Sequence, residues 1–407
     1  SDGQSLLWTA GTSPYGAGAT RSIAGNPAIQ PERTQELEIG LEAEFDNAYG
    51  FEATYYISNS SQSLVTVPRA PSTGLGGQPS NLASINGWGF ESLIYARPIQ
   101  TADYSLDLKL IFNYADNLVQ SLGFDAGGPA FLQDGFNRNF LIPGQRRSQF
   151  MGLRPIQPRF RADGYYDWVN QSRNGIELDT AGVIRTPLGA IVGFPLGSAV
   201  PLYTGSFSVE FRFLRDFTIY ALAEYAVGGS VMNVTRQFST GPSFFNNPQF
   251  NRLATQLGLY GSGVAATNGA AAQERGPAAQ LTVGRVPGVQ VLTPGTPEYQ
   301  QAAVAFQRLD PRIATLNVHN YLERADWLRI REISLRFNAT RFFNEITGLN
   351  MKNLSFTATS NNFMLFTTYS GPEVEINANP GSAVSSSQDF LTLMQPRVYN
   401  FIVSVGF

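Results

Sequence analysis

Hydrophobic side chains recur at every second position over much of this chain. From Glu36 to Phe45 the odd positions carry Leu37, Ile39, Leu41, Ala43 and Phe45, and the even positions Glu36, Glu38, Gly40, Glu42 and Glu44. Successive side chains of a strand point to opposite sides, so this segment predicts a strand with one apolar and one acidic face. After Asp46-Asn47-Ala48 the alternation resumes with Tyr49, Phe51, Ala53, Tyr55 and Ile57, which makes the pair a β-hairpin. Tyr104 to Tyr114 repeats the pattern, and Phe207–Phe213 and Phe217–Tyr225 flank a second turn at Leu214-Arg215-Asp216. Weaker runs lie at 88–95, 333–337 and 354–358, and the last residues alternate as Tyr399, Phe401, Val403, Val405 and Phe407.

The connections alternate in length. Short turns are expected near 46–48, 97–103, 214–216 and 340–350. Long segments rich in Gly, Pro, Ser and Asn are expected as loops at roughly 59–85, 115–202, 228–326 and 362–396. Compact soluble sheets seldom carry such loops, whereas a transmembrane barrel has short periplasmic turns on one rim and long extracellular loops on the other. Inside the loops, Thr296-Pro297-Glu298 offers a helix start, and Asn251–Leu259 is a second helical candidate.

Composition separates a membrane barrel from a soluble sandwich, which alternates equally well. Only 14% of the 407 residues are charged, against roughly 25% in an average soluble domain. Aromatic residues reach 12%, and tyrosines and phenylalanines close the apolar runs (Tyr49, Tyr104, Tyr114, Phe213, Phe217, Tyr225), as interfacial girdles require. The opposite faces carry Glu38, Glu42, Glu44, Asp107, Lys109, Arg212 and Glu224, too many charges for a dry second core. The fold class expected is therefore all-β, an antiparallel transmembrane β-barrel segment of about nine strands. An odd number of antiparallel strands does not close cleanly, so this chain is expected to form only part of a wall.

The absence of cysteine and the single His319 exclude thiolate chemistry and a multi-histidine metal site within the chain. A net charge of −3 with dispersed basic residues gives no footprint for nucleic acid. No arrangement of Ser, His and Asp points to a hydrolase, so neither an enzyme nor a cofactor is expected.

Several ordered segments resemble one family. Asn26-Pro27-Ala28-Ile29-Gln30-Pro31-Glu32-Arg33-Thr34, running into Glu36-Leu37-Glu38-Ile39-Gly40, is similar to a stretch of TonB-dependent transporters. Tyr55-Tyr56, Val67-Pro68, Ser72-Thr73-Gly74, Asn86–Glu91 and Pro201–Phe207 resemble segments of the SusC/RagA branch. So does Tyr321-Leu322-Glu323-Arg324-Ala325-Asp326-Trp327-Leu328-Arg329-Ile330. Gly371-Pro372-Glu373 departs from the family's usual Asp-Pro-Glu, and the serines at 385–387 are unusual.

The resemblance implies a barrel of roughly 22 strands around a plug. Residues 1–407 would be the C-terminal part of that barrel, with the plug and early strands elsewhere, and 228–326 a large extracellular loop region. It further implies TonB-dependent import of a bulky nutrient, glycan or peptide, across the bacterial outer membrane. The partners would be outer-membrane lipid, a SusD-like surface lipoprotein, the TonB complex and the remainder of the barrel. The alternative is a barrel scaffold that docks surface lipoproteins or assemblies without transport.

Among single residues, the aromatic group Tyr165, Tyr166 and Trp168 either grips a ligand or packs loops together. Glu32-Arg33 reads as a charged turn ahead of a strand, and Glu36, Glu38, Glu42, Glu44 and Glu52 as a solvated lumen wall. His319 and Arg146-Arg147 read as ordinary loop residues.

Overall fold

The computed structural model describes residues 8–13, 16–21, 25–68, 77–123, 132–134, 139–155, 158, 160–166, 178–179, 181–185, 191–240, 248–259, 285–309, 318–376 and 387–407. Nine strands form one antiparallel sheet: β1 (Arg33–Phe45), β2 (Tyr49–Pro68), β3 (Gly77–Gln100), β4 (Ser105–Ser121), β5 (Tyr203–Phe213), β6 (Phe217–Val227), β7 (Trp327–Asn338), β8 (Asn353–Thr367) and β9 (Val398–Gly406). Each strand pairs with its neighbours in sequence, so the sheet is a pure meander from β1 to β9. Within this sheet β1 and β9 are its two edges and do not pair with each other.

The register joins the alternating runs into two continuous faces. One row crosses Leu41, Ala53 and Ser92, and others run Ile94–Leu110–Phe207–Ala223 and Phe211–Ile219–Leu335–Ala358–Phe401. The face opposite carries Glu42–Glu52, Lys109–Ser208, Glu210–Tyr220–Ser334–Thr359–Asn400 and Arg212–Thr218–Arg336. Leu37, Ile39, Leu41 and Phe45 stand exposed on the first face, as the lipid side of a barrel requires. On the polar face two tyrosine rings lie flat on directly opposed glycines, Tyr95 on Gly50 and Tyr56 on Gly89. A Cβ at either glycine would meet the ring at 2.4–2.5 Å, so the bare backbone is what admits the aromatic.

Aromatic girdles bound the apolar face. Near the short turns, Phe211, Phe213, Phe217, Phe337 and Phe356 form a stacked ladder with successive centroids 4.7–6.5 Å apart. Near the other rim, Tyr203 packs against Tyr114 at 5.3 Å and Phe112 at 6.0 Å. Strand β5 runs from one girdle to the other. At about 3.4 Å per residue and a tilt of about 40°, its length corresponds to roughly 25 Å of membrane.

The short rim holds the turns at 46–48, 101–104 and 214–216. Asp46 and Asn47 sit at φ 53° and 52°, where their side chains tolerate the left-handed region. Leu214 and Arg215 adopt the same geometry at 49° and 65° without that chemistry, at a cost of about 1–2 kcal/mol each. The expected turn at 340–350 instead contains a short helix, described below. The expected loop at 59–85 is also largely strand, because β2 runs to Pro68 and β3 begins at Gly77. The reason is packing above the membrane: Val65, Ala83, Val119, Leu122 and Leu141 bury one another there, and a bulge with Gln62 at φ 59° absorbs the register change.

The long connections build a crown. It includes a five-stranded sheet from 132–134 to Ile191–Ser198, a three-stranded sheet of Ser230–Asn233, Leu322–Arg324 and Gln388–Asp389, and the helices α1 (Val234–Thr240), α2 (Pro248–Gln256) and α3 (Pro297–Leu309). Both helices expected from sequence are present as α2 and α3.

The two-faced wall sets an asymmetry at mid-strand. In the full-length protein, Val209→Arg is expected to destabilise the folded barrel by about 2–4 kcal/mol, while Ser208→Arg is tolerated. Reversible unfolding in detergent or lipid measures both; equal losses would contradict the assignment of faces.

Candidate functional site

The polar face of β7 carries the densest chemistry among the described residues. Regular alternation breaks at Arg331: Leu222 of β6 opposes Glu332 while Ala223 opposes Ile330, so Arg331 is the extra residue of a bulge. The facing strand β8 shifts register at the same point, with Asn362 at φ 52°. Arg331, two residues past Arg329, keeps the same side of the strand, and the bulge shifts the frame so that Glu332 also falls on the polar face and Ile333 returns to the lipid face.

These two arginines knit the wall to the segment that follows β8. Arg329, 3% exposed, donates from Nη2 to Glu373 at 2.5 Å and faces Glu375 through Nε at 2.5 Å. Glu373 is itself 2% exposed, and its Oε1 also accepts the backbone N–H of Val374 at 2.9 Å. Arg331 bridges Glu375 at 2.7 Å and Glu224 of β6 at 2.6 Å, donates to Asn362 and Gln395, and lies over the Trp327 ring at 5.8 Å. Two guanidinium groups thus answer three carboxylates. The planar fork of arginine suits such shared, partly dry pairing better than lysine does.

The rest of the Tyr321–Ile330 segment ties down the crown. Glu323 accepts the Ser370 backbone N–H at 2.8 Å and hydroxyl at 2.7 Å, with Asn233 at 3.2 Å and Arg236 at 3.3 Å. Asp326 accepts the Gly228 N–H at 2.7 Å. Tyr369 donates to Asp389 at 2.6 Å, and burial, with the Asp389 carboxylate beside it, pushes its phenol well above the ordinary tyrosine range. Gly371-Pro372-Glu373, the departure from the family pattern, therefore lies in the segment these residues hold.

The other sequence candidates fall elsewhere. Tyr166 is 1% exposed at the centre of the crown core, against Phe306 and Phe160, and its N–H donates to the Tyr299 hydroxyl at 3.1 Å. Tyr165 is half-buried, edge-on to Tyr299 at 6.4 Å, and Trp168 lies outside the described residues. Tyr166 thus packs within the crown core, between the helices and the loop that carries it. Arg146 pairs with Asp116 at 2.7 Å and donates to the Val200 carbonyl. His319 is exposed in a single 3-10 turn, Val318–Asn320. Glu32 accepts the Ser63 hydroxyl at 2.7 Å, and Gln30 and Asn81 exchange two hydrogen bonds, which fix the start of β1 against β2 and β3. Glu36, Glu38, Glu42, Glu44 and Glu52 line the polar face with no ion pair to an arginine or lysine among the described residues.

A two-faced antiparallel meander with girdles, short turns and a loop crown is an outer-membrane barrel wall. A profile of the TonB-dependent receptor-like β-barrel family matches residues 4–209. The chain belongs to this family. Its membrane is accordingly the bacterial outer membrane. Two family proteins of Formosa agariphila are similar in sequence: "TonB-dependent receptor P26", 25% identical over 246 residues, and "TonB-dependent receptor P3", 26% identical over 230. The matches cover 58% and 52% of this chain, and the chain spans about a quarter of the length of these relatives, 24% and 22%. Among solved structures, the RagAB peptide transporter shares the fold with a TM-score of 0.60 at 16% identity, over 99% of this chain and 38% of that one. The RagAB importer in its "open-open" state gives 0.52 over 90% of this chain.

The buried cluster is the feature that sequence reading missed. One trace of it was visible: Arg331-Glu332 puts two charges in a row within a run that otherwise alternates, the mark of a bulge. Its partners Glu373 and Glu375 lie more than 40 residues downstream in a loop, where no periodicity operates.

Breaking one side of this cluster exposes its coupling. Glu373→Gln and Arg329→Met are each expected to destabilise the full-length barrel by about 3–5 kcal/mol, and the double variant by clearly less than the sum. A double-mutant cycle by heat or denaturant unfolding tests this, and simple additivity would refute the pairing. The Tyr369–Asp389 tie has a pH signature. A tyrosine whose folded value lies above its unfolded value of about 10 stabilises below that pH and loses the contribution as pH rises beyond it. Protease cleavage near 370–390 should therefore rise steeply above that pH in the native protein, and rise less in Tyr369→Phe.

Proposed function

We propose that this chain forms part of the wall and extracellular crown of a larger barrel that imports a bulky nutrient, a peptide or a glycan, by TonB-dependent transport. The observation that carries the reading is the nine-stranded meander with a lipid face, a polar face and two open edges, in a family of TonB-dependent receptors. The likeness to the RagAB peptide transporter favours a peptide among the cargo classes. In this reading β1 and β9 pair with further strands of the same wall, a plug fills the lumen, and TonB supplies energy from the inner membrane. A SusD-like surface lipoprotein caps the crown, seated on residues 228–326.

Cargo contact is assigned to the crown and not to the strands. Beside Tyr165 and Tyr166, an open cavity of about 410 Å³ is lined by Pro158, Phe160 and the α3 residues Pro297, Gln300, Gln301 and Val304. Apolar walls with a few amide groups suit an extended peptide or a sugar face. Trp168 belongs to the same loop in sequence and joins the proposed contact on that ground.

Uptake in cells that carry the full-length protein tests the reading. Labelled oligopeptides should accumulate in the periplasm when TonB is present, and only bind at the surface when it is deleted. Surface binding that leads to no uptake in either strain would replace the transporter by a docking scaffold.

A further inference from the structure

Helix α4 (Thr340–Thr347) joins β7 to β8 on the short-turn rim, where a few turn residues would close the hairpin. Its side chains divide sharply at helical spacing. Phe342, Ile346 and, just past the end, Leu349 form one stripe, while Thr340 and Asn344 lie on the opposite side. The polar side is clamped to the rim. The Thr340 hydroxyl accepts the Leu354 N–H at 2.7 Å, and Asn344 exchanges two hydrogen bonds with the backbone of Met351. Arg341 at the helix start pairs with Asp216 of the neighbouring turn at 2.6 Å. Gly348, at φ 69°, stops the helix by returning its N–H to the Asn344 carbonyl at 2.9 Å.

The clamp fixes where the helix sits. Phe343 of the helix and Phe337 of β7 both pack against Ala339, Met351 and Leu354. Leu354 and Phe337 belong to the lipid-facing rows of the sheet, pairing with Val405 and Phe356. Phe337 is also a member of the stacked aromatic girdle. So α4 is folded onto the outer side of the wall, flush with the girdle. Its apolar stripe stays uncovered, with Phe342 60%, Ile346 67% and Leu349 55% exposed. An eight-residue helix held this firmly has no reason to present such a stripe to water, and the surface it continues is the membrane face itself.

We propose that α4 is an interfacial helix that seats Phe342, Ile346 and Leu349 at the boundary between headgroups and acyl chains of the periplasmic phospholipid leaflet. An amphipathic helix lies in that plane with its apolar face sunk a few ångströms below the headgroups. The clamp supplies the orientation, so no order has to be created on contact with lipid. The helix would set the depth of the β7–β8 hairpin, just as girdle aromatics set the depth of the strands.

Spin labels read the environment of each position directly. Single cysteines are placed at Phe342, Ile346, Glu345 and Thr347 of the full-length protein, after any native cysteine is replaced, and labelled with a nitroxide. The protein is reconstituted in vesicles of phosphatidylethanolamine and phosphatidylglycerol. Collisions with oxygen, which partitions into lipid, should exceed those with a water-soluble nickel chelate several-fold at 342 and 346. At 345 and 347 the order should reverse. Nickel access at all four positions would place the stripe in water and overturn the proposal. The same measurement in native outer membranes identifies a protein occupant: exclusion of both reagents at 342 and 346 there would mean that a periplasmic partner covers the helix, and would also overturn it. Four single-site labels keep the test independent of any one variant that folds poorly.

Discussion

Within hydrocarbon no water is available to satisfy a peptide group, and each unpaired N–H or C=O costs several kcal/mol. Everything else in this protein follows from that constraint. It forces the ladder to run unbroken from β1 to β9, with register shifts confined to bulges. It forces side chains to alternate strictly, because a slip of one residue would turn a charged row to the lipid. It also makes the edges β1 and β9 the sites of greatest demand, since each leaves one side of its backbone unpaired within the sheet. A wall of this kind is stable only when both edges meet further strands.

The polar face meets a milder version of the same demand. Solvated carboxylates such as Glu38 and Glu42 remain wet on the lumen side, so they need no partner. Arg329 has no such escape, because the segment after β8 folds over it. Its charge is tolerable only because Glu373 and Glu375 are delivered to it by that segment. The dependence is mutual: the loop is held by the arginine, and the arginine is dry because of the loop. The sequence carries 28 basic residues, of which only Lys109 and Lys352 are lysine. That bias matches a wall in which basic groups serve several acceptors at once, as Arg331 does for Glu224, Glu375, Asn362 and Gln395.

How far the sequence discloses this structure depends on the range of the interaction. The hairpin at Asp46-Asn47 is written locally, in alternation and turn chemistry, and could be read at once. The turn at Leu214-Arg215 was legible only from the strands beside it, because leucine gives no sign of a left-handed backbone. The extensions of β2 and β3 above the membrane read as loop, since their Ser, Asn and Gln content reflects a wet ladder and not a broken one; what holds them is contact with Val119 and Leu141, far along the chain. Helix α4 was hidden for a different reason. A run of eight residues is too short for periodicity to speak, and its stop signal at Gly348 is a single glycine, which marks a turn equally well. Of the candidate site, the aromatic pair was visible as composition, but its burial against Phe306 and Tyr299 is a tertiary fact.

The segment Tyr321–Arg331 shows how these ranges combine. Read along the chain it is a familiar motif; read in space it is the joint between wall and crown. Its first half sends Glu323 and Asp326 into the loops, to Ser370 and to Gly228. Its second half enters the sheet and sends Arg329 and Arg331 to the loop that returns from β8. One short stretch therefore fixes the starts of the β6–β7 and β8–β9 connections to the same rigid strand. A crown anchored in this way can vary at its tips without loosening the ladder below. The joint is rigid because it must be dry, and it is dry because loops and wall meet there. The spread of charge along the motif is the consequence: Arg329 and Arg331 answer carboxylates, and Glu323 and Asp326 answer backbone N–H groups, that the joint would otherwise leave without a partner.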